Sequence, residues 1–220
     1  MTQPRRPRRM LLSAGPTEEP LDEVRFLSNR SSGLLGQELA LAAERAGWSV
    51  TALLAPRIPQ PIDTHVRVHR FRTSNDLDRL LRTHLPDSQV LIMAAAVCDY
   101  RPINTHPGTK LRRHEGGLSL ELEAVDDLLR SCAQRARPDQ VLIGFSLSAN
   151  ETLESTAREK LEKKGVRAIV ANPLQTMDAQ SITPLIVWKD ENKVHTSDWG
   201  LLSKSAFAER FIAWVEGLLE

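Results

Sequence analysis

Four groups of residues in this chain have the types and spacing that handle phosphate. Ser31-Ser32-Gly33 stands directly before a helical apolar period (Leu34, Leu35, Leu39, Ala42, Ala43, Ala46). Free N–H groups and the positive end of a helix dipole therefore meet there, a ready phosphate site. The same serines would serve equally as a plain helix cap. Asp99 follows a buried apolar run, placed to take a Mg2+ ion or a ribose hydroxyl, or simply to form a turn. Lys110, Arg112 and Arg113 form a basic run able to close over a polyphosphate, although most such runs are solvated faces. Lys160 and Lys164 stand four apart, on one helix face, and can reach phosphates together.

The elements that must position these groups follow from periodicity. Met10-Leu11-Leu12 begins a strand that breaks at Gly15-Pro16, and the 17 residues Thr17–Gly33 form a loop far longer than the usual ~2–6. That loop carries Thr17, Arg25, Ser28 and Asn29, with Val24, Phe26 and Leu27 to pin it down, and reads as functional. Trp48–Leu54 and Val66–Phe71 read as strands. Ser74-Asn75-Asp76 opens a helix that ends at Pro86, and Gln89–Val97 is a strand buried on both faces. Lys110–Glu123 reads as a hairpin arm turning at Glu115-Gly116-Gly117, within an arm region spanning about 100–123. A helix from Asp126-Asp127, a strand at Val141–Phe145, a helix over Glu151–Lys164 stopped by Gly165, and a strand at Arg167–Ala171 come next. The chain ends with a hairpin around Asp190–Lys193 and a helix from Ser203 or Ser205 to Leu219.

Strands alternating with helices predict a Rossmann-like α/β fold, a doubly wound and mostly parallel sheet with the arm projecting from it. One domain over 1–220 is expected, with residues 1–9 a flexible basic tail. The irregular segments 15–33, 98–113 and 145–150 each follow a strand, so they should converge at its carboxyl edge.

A net charge of +1 supplies no global attraction to nucleic acid or anionic membrane. Cys98 and Cys132 form no disulfide framework and lack metal-ligand spacing, which suits a reducing cytoplasm. No apolar run approaches the ~18 residues that span a bilayer. A nicotinamide oxidoreductase needs a G-x-G-x-x-G turn, which the first loop lacks, and the second strand ends in Ala55-Pro56-Arg57 without an acid for a ribose. No Gly-Lys-Ser/Thr or G-x-S-x-G occurs, which excludes a P-loop and the common serine-hydrolase elbow.

The segments AGPTEEPLDEVRFLSNRSSGLLG, AAAVCDYRP, KLRR, GFSLSANE and AREKLEKKGVRAIVAN resemble, in order, those of phosphopantothenoylcysteine synthetase. This is the phosphopantothenate–cysteine ligase of coenzyme A biosynthesis. The resemblance implies a two-step reaction: 4′-phosphopantothenate attacks the α-phosphate of a nucleotide, CTP in most bacteria, and cysteine then displaces CMP from the acyl-cytidylate. It implies Mg2+, a homodimer with the arm contributed across the interface, and a form without the flavin-dependent decarboxylase half, which a separate decarboxylase would supply. A divergent binding protein without turnover is the alternative, ahead of the oxidoreductase.

Carried over by motif, Asn29 is implied to hold the acyl intermediate, with Arg25 nearby and Lys110 as the flap lysine. Gly15, Ser31, Ser32 and Gly33 of the first motif are implied on the nucleotide side. Met93, Ala94 and Ala95 would line base and ribose, Asp99 would be their acid, and Phe145 would lie beside the base. Lys160 and Lys164 would contact phosphate. Where the family commonly has Lys-Asn-Pro-Asp-Ile, this chain has Ala124-Val125-Asp126-Asp127-Leu128, followed by Leu129, so base readout there falls to the backbone. Ser148-Ala149 replaces a common Glu-Thr, Pro173 an aspartate, and Arg112 and Arg113 two flap lysines, which keeps charge but changes geometry.

Overall fold

The computed structural model describes residues 8–62, 64–112, 116–177, 179–190 and 193–219. Arg113, Glu115, most of the basic tail and the centre of the Asp190–Lys193 turn lie outside the described residues. In chain order the elements are β1 (Arg9–Pro16), β2 (Glu18–Pro20), β3 (Phe26–Ser28), α1 (Leu34–Arg45), β4 (Ser49–Leu54), β5 (Arg67–Arg70), α2 (Ser74–His84), β6 (Val90–Ala96), β7 (Tyr100–Pro102) and β8 (Leu122–Ala124). They continue with α3 (Leu128–Arg135), β9 (Val141–Ser148), α4 (Leu153–Lys164), β10 (Ala168–Pro173), β11 (Ser181–Ile182), β12 (Leu185–Lys189), β13 (Val194–Asp198), β14 (Leu202–Ser203) and α5 (Lys204–Gly217).

Eight strands make one sheet in the order β13-β12-β10-β9-β6-β1-β4-β5. From β10 to β5 every pairing is parallel, and β12 and β13 add an antiparallel edge. Leu11, Leu12, Leu91, Ile92, Ile143, Ile169 and Val170 are fully buried on successive positions, so both sheet faces are covered. Each such side chain contributes on the order of 1.5–3 kcal/mol when removed from water. This matches the doubly wound sheet expected from continuous apolar runs.

Behind β9 and β10 the aromatic side chains gather. Phe211 of α5 lies 5.4 Å from Trp214 and 6.3 Å from Trp199. It also meets Phe145 of β9 edge-on at 6.1 Å. Trp48 stands apart, under the Arg8 guanidinium at 5.8 Å.

Three local expectations need correction. The long loop is not structureless: β2 pairs β3 antiparallel, from Glu18↔Ser28 to Pro20↔Phe26. Among the described residues the arm does not pair Lys110 onward with Leu118–Glu123; β8 pairs instead with β7, Tyr100↔Ala124 to Pro102↔Leu122. Its partner strand thus comes from the irregular stretch after Asp99, where Pro102 ends the ladder. Helix α2 is capped by Thr73, one residue earlier than expected, in a reciprocal box with Asp76.

Candidate functional site

The chain leaves β1 toward β4 and β5, then returns to the other side of β1 for β6, β9 and β10. The β1/β6 boundary is therefore the point where strand order reverses, and a crevice opens beyond its carboxyl ends. There Gly15 pairs with Ala95 and Pro16 with Ala96. A cleft of about 410 Å³ occupies this place. One wall is Ser31, Ser32 and Gly33; the floor is Met93, Ala94 and Ala95, with Asp99 at the rim. Asp126, Asp127, Leu128, Leu129, Phe145, Lys160 and Lys164 form the facing wall. Segments 31–33, 93–99 and 145–147 meet there, as the three chain breaks suggested.

The first wall is made by a close backbone approach. Gly33 has φ +70°, and a Cβ on it would lie 2.3 Å from Ile58 Cδ1 and 3.3 Å from the Gly15 Cα. Gly15 thus stands directly behind the wall, itself outside the cleft lining. With Gly33 in the left-handed region, it takes the position before α1 that a serine was expected to hold, and no side chain caps the helix. Ser32 Oγ makes only a long contact, 3.4 Å from the Leu34 N–H.

The facing wall is electrostatically tied. Lys164 Nζ lies 2.8 Å from Asp127 Oδ2, while Asp127 Oδ1 accepts the Arg130 N–H at 3.1 Å and caps α3. Burial pushes the Asp127 carboxyl up, but Lys164 and the backbone donors outweigh it, so it titrates below its ordinary value. Lys160 Nζ donates to Ser146 Oγ at 2.7 Å. Burial, and then the neighbouring Lys164 charge, hold the Lys160 ammonium below its usual pKa, opposed by Asp99. An anion entering the cleft would relieve this like-charge pair.

Asn29, Arg25 and Lys110 lie outside the cleft lining. Asn29 is anchored to its floor, donating Nδ2–H to the carbonyls of Val97 (2.9 Å) and Ala96 (3.3 Å), both of which line the cleft. That leaves Oδ1 of Asn29 as its acceptor. Arg25 is paired with Asp22 and donates to the Leu111 carbonyl at 2.9 Å. Lys110 is exposed on the arm.

The structure adds lining groups that the sequence reading passed over. Asn172, at the end of β10, is 5% exposed and its Oδ1 has no hydrogen-bond partner among the described residues. Lys204, opening α5, is 8% exposed. The carboxyl-edge rule that selected the ends of β1, β6 and β9 applies to β10 as well and would have found Asn172. No local signal marks Lys204. Cys98 also lines the cleft, where burial raises its thiol pKa. Among the described residues no three His, Cys, Asp or Glu side chains group as a metal cage. Asp99 alone at the rim fits a Mg2+ that keeps most of its ligands on phosphate oxygens and water. No helix of the described residues is long and apolar enough to cross a membrane.

A family model described as the DNA/pantothenate metabolism flavoprotein C-terminal domain matches residues 6–218. The Coenzyme A biosynthesis bifunctional protein CoaBC of Bacillus subtilis (strain 168) is 32% identical over 171 residues, 77% of this chain and 41% of that protein. Its namesake from Mycolicibacterium smegmatis is 37% identical over 172 residues, covering 74% and 41%. A protein of an unknown prokaryote called cysteine/cysteine sulfinic acid decarboxylase is 33% identical over 168 residues, covering 76% and 46%. The chain thus spans less than half the length of these curated relatives. The crystal structure of the C-terminal domain of a CoaBC superposes with a TM-score of 0.78 at 28% identity, over 96% of this chain and 95% of that one. A Cab2 mutant in complex with phosphopantothenate-cysteine gives 0.79 at 19% identity, over 96% of this chain and 86% of that one, a likeness of fold alone.

Proposed function

This chain belongs to the DNA/pantothenate metabolism flavoprotein C-terminal domain family, and on that footing we propose that it is a ligase joining 4′-phosphopantothenate to L-cysteine through an acyl-nucleotidylate. One observation carries the reading. An uncapped helix entrance at Ser31–Gly33 faces Lys160 and Lys164 across a cleft of about 410 Å³ with Asp99 at its rim. Such a space suits a nucleoside triphosphate.

In the first step a carboxylate oxygen of 4′-phosphopantothenate attacks the α-phosphorus. The bond to the β-phosphate oxygen breaks and pyrophosphate leaves. Lys160 and Lys164 hold the phosphates, and Lys110, brought in by the arm, offsets charge that develops in transfer. In the second step the cysteine amine attacks the acyl carbon, the acyl–oxygen bond breaks, and the nucleoside monophosphate departs as the amine loses its proton. Asn29, tethered to the cleft floor, orients the acyl group. A Mg2+ held by Asp99 would neutralise phosphate charge.

CTP is the proposed nucleotide, its base beside Phe145 and against the Met93–Ala95 backbone. The apolar side chains Tyr100, Ile103, Leu118, Leu120 and Leu122 on the arm are each more than 40% exposed. That supports a homodimer in which each arm covers the other chain. The cytoplasm is the proposed location, with a decarboxylase acting on the product. Purified protein with CTP, phosphopantothenate, cysteine and Mg2+ should release one pyrophosphate per amide formed, faster than with ATP. Silence with every nucleoside triphosphate would sink the reading. The altered segments 124–128 and 148–149 favour a second reading, binding without turnover, which one observed catalytic cycle excludes.

A further inference from the structure

The loop carrying Asn29 and the arm carrying Lys110 are fastened together at a single buried carboxylate. Asp22 is 4% exposed. Its Oδ1 accepts the N–H groups of Val24 at 2.9 Å and Arg25 at 2.8 Å. Its Oδ2 accepts Arg25 Nε–H at 2.9 Å and the Leu111 N–H at 3.0 Å, and Arg25 Nη2 reaches the same oxygen. Nη2 also donates to the Leu111 carbonyl at 2.9 Å. Leu111 therefore has its N–H on the anion and its C=O on the cation of one ion pair.

The bonds continue on the other side of Lys110. The Glu23 N–H donates to the Thr109 carbonyl at 3.0 Å, the Gly108 N–H to Glu23 Oε2 at 3.1 Å, and the His106 N–H to the Leu21 carbonyl at 3.1 Å. The backbone flanking Lys110 is thus pinned on both sides to residues 21–25. From there β3 leads straight to Asn29, which is itself pinned to the end of β6. A tight turn at Asp22 needs only the two bonds to Val24 and Arg25. The contacts to Leu111, 89 residues away, do nothing for that turn. Arg25 Nε and Nη2 are both engaged in the clasp.

We infer that Asp22 and Arg25 are positioning residues for Lys110, registering the arm against the Asn29 loop so that the lysine and the amide keep a fixed separation. The inference rests on the ligase reading for the role of Lys110. Asp22→Asn keeps a turn-forming oxygen but removes the charge that orients Arg25 and weakens the hold on Leu111. A displacement near 1 Å of a positioned group can cost about 100-fold. Pyrophosphate release in Asp22→Asn should therefore fall by roughly 10- to 100-fold in kcat, with the KM for CTP within about twofold, since the nucleotide cleft is untouched. Amide exchange at Leu111, and at Glu23 whose N–H donates to the Thr109 carbonyl, should accelerate. With Lys110→Ala already in place, Asp22→Asn should cost little more, because a lysine that is gone cannot be misplaced.

A purely structural role predicts a lower melting point with losses that add to those of Lys110→Ala. Additive losses, or unchanged exchange at Leu111 and Glu23, overturn the inference. Should Asp22→Asn fail to fold, Arg25→Gln removes the guanidinium side of the clasp, its bonds to Asp22 Oδ2 and to the Leu111 carbonyl, leaves the Asp22–Leu111 N–H bond, and must show the same non-additivity. If the unmodified protein releases no pyrophosphate with any nucleotide, the ligase reading falls. The exchange rates of Asp22→Asn then still decide whether the ion pair registers the arm.

Discussion

Lys160 and Lys110 are both assigned to phosphate chemistry, yet they stand in opposite surroundings. Lys160 rises from α4 into a walled cleft, hydrogen-bonded to Ser146 and half-buried beside Lys164 and Asp127. Lys110 rides an arm whose apolar side chains face outward and whose footing is the Asp22–Arg25 clasp. The first is held by the packing of its own sheet and helix. The second is held in register at its base, and the described apolar side chains of its arm are exposed. On the proposed reading, one half of the site is completed within a chain and the other on contact with a second copy. Substitutions in the cleft wall should therefore register as stability, and substitutions in the arm as activity or assembly.

The largest expected effect tests the arm. Lys110→Ala should lower pyrophosphate release by about 2–3 kcal/mol of transition-state stabilisation, while its unfolding free energy stays within about 0.5 kcal/mol of the parent. A comparable fall in stability would erase the contrast. On the cleft side, Gly33→Ala places a side chain at φ +70° against Ile58. About 2 kcal/mol of stability should be lost in equilibrium denaturation, since left-handed backbone alone costs ~1–2 kcal/mol. An unchanged midpoint would mean that the wall can rearrange.

Asp127→Ala should cost about 1 kcal/mol through the lost α3 cap, with a recognisable pH signature. Because the folded carboxyl titrates below its ordinary value, its contribution is complete above the unfolded pKa of about 3.9. It fades as pH falls through the lower folded value. The difference between parent and variant should therefore shrink in acid. The smallest change in chain stability, within about 0.5 kcal/mol, is expected for Leu118→Ser with Leu120→Ser. Sedimentation should nevertheless show loss of self-association. A dimer that survives both changes would move the interface elsewhere.

The sheet was readable because its strands are continuous apolar runs whose burial needs no knowledge of partners. Asp99, Lys160 and Lys164 could be singled out because the carboxyl edge of such a sheet collects the residues that leave each strand and the helix that returns from it. The features that escaped reading depend on residues far apart in the chain. The β7–β8 pairing joins Tyr100 to Ala124 across a stretch with no alternation of its own. Gly33 displaced the serines because Gly15 and Ile58 crowd that position from other segments. Lys204 enters the cleft only because the last helix folds back over the sheet. Asn172 was within reach of the same edge rule and was passed over.

The ring contacts that begin at Phe145 give the cleft an optical gauge. Phe145 touches Phe211, which touches the indoles of Trp199 and Trp214, so a base settling beside Phe145 should alter their emission. Trp48, at the opposite end of β1 beneath Arg8 and hydrogen-bonded to Glu216, should respond less, so that the chain would signal its own occupancy without a dye.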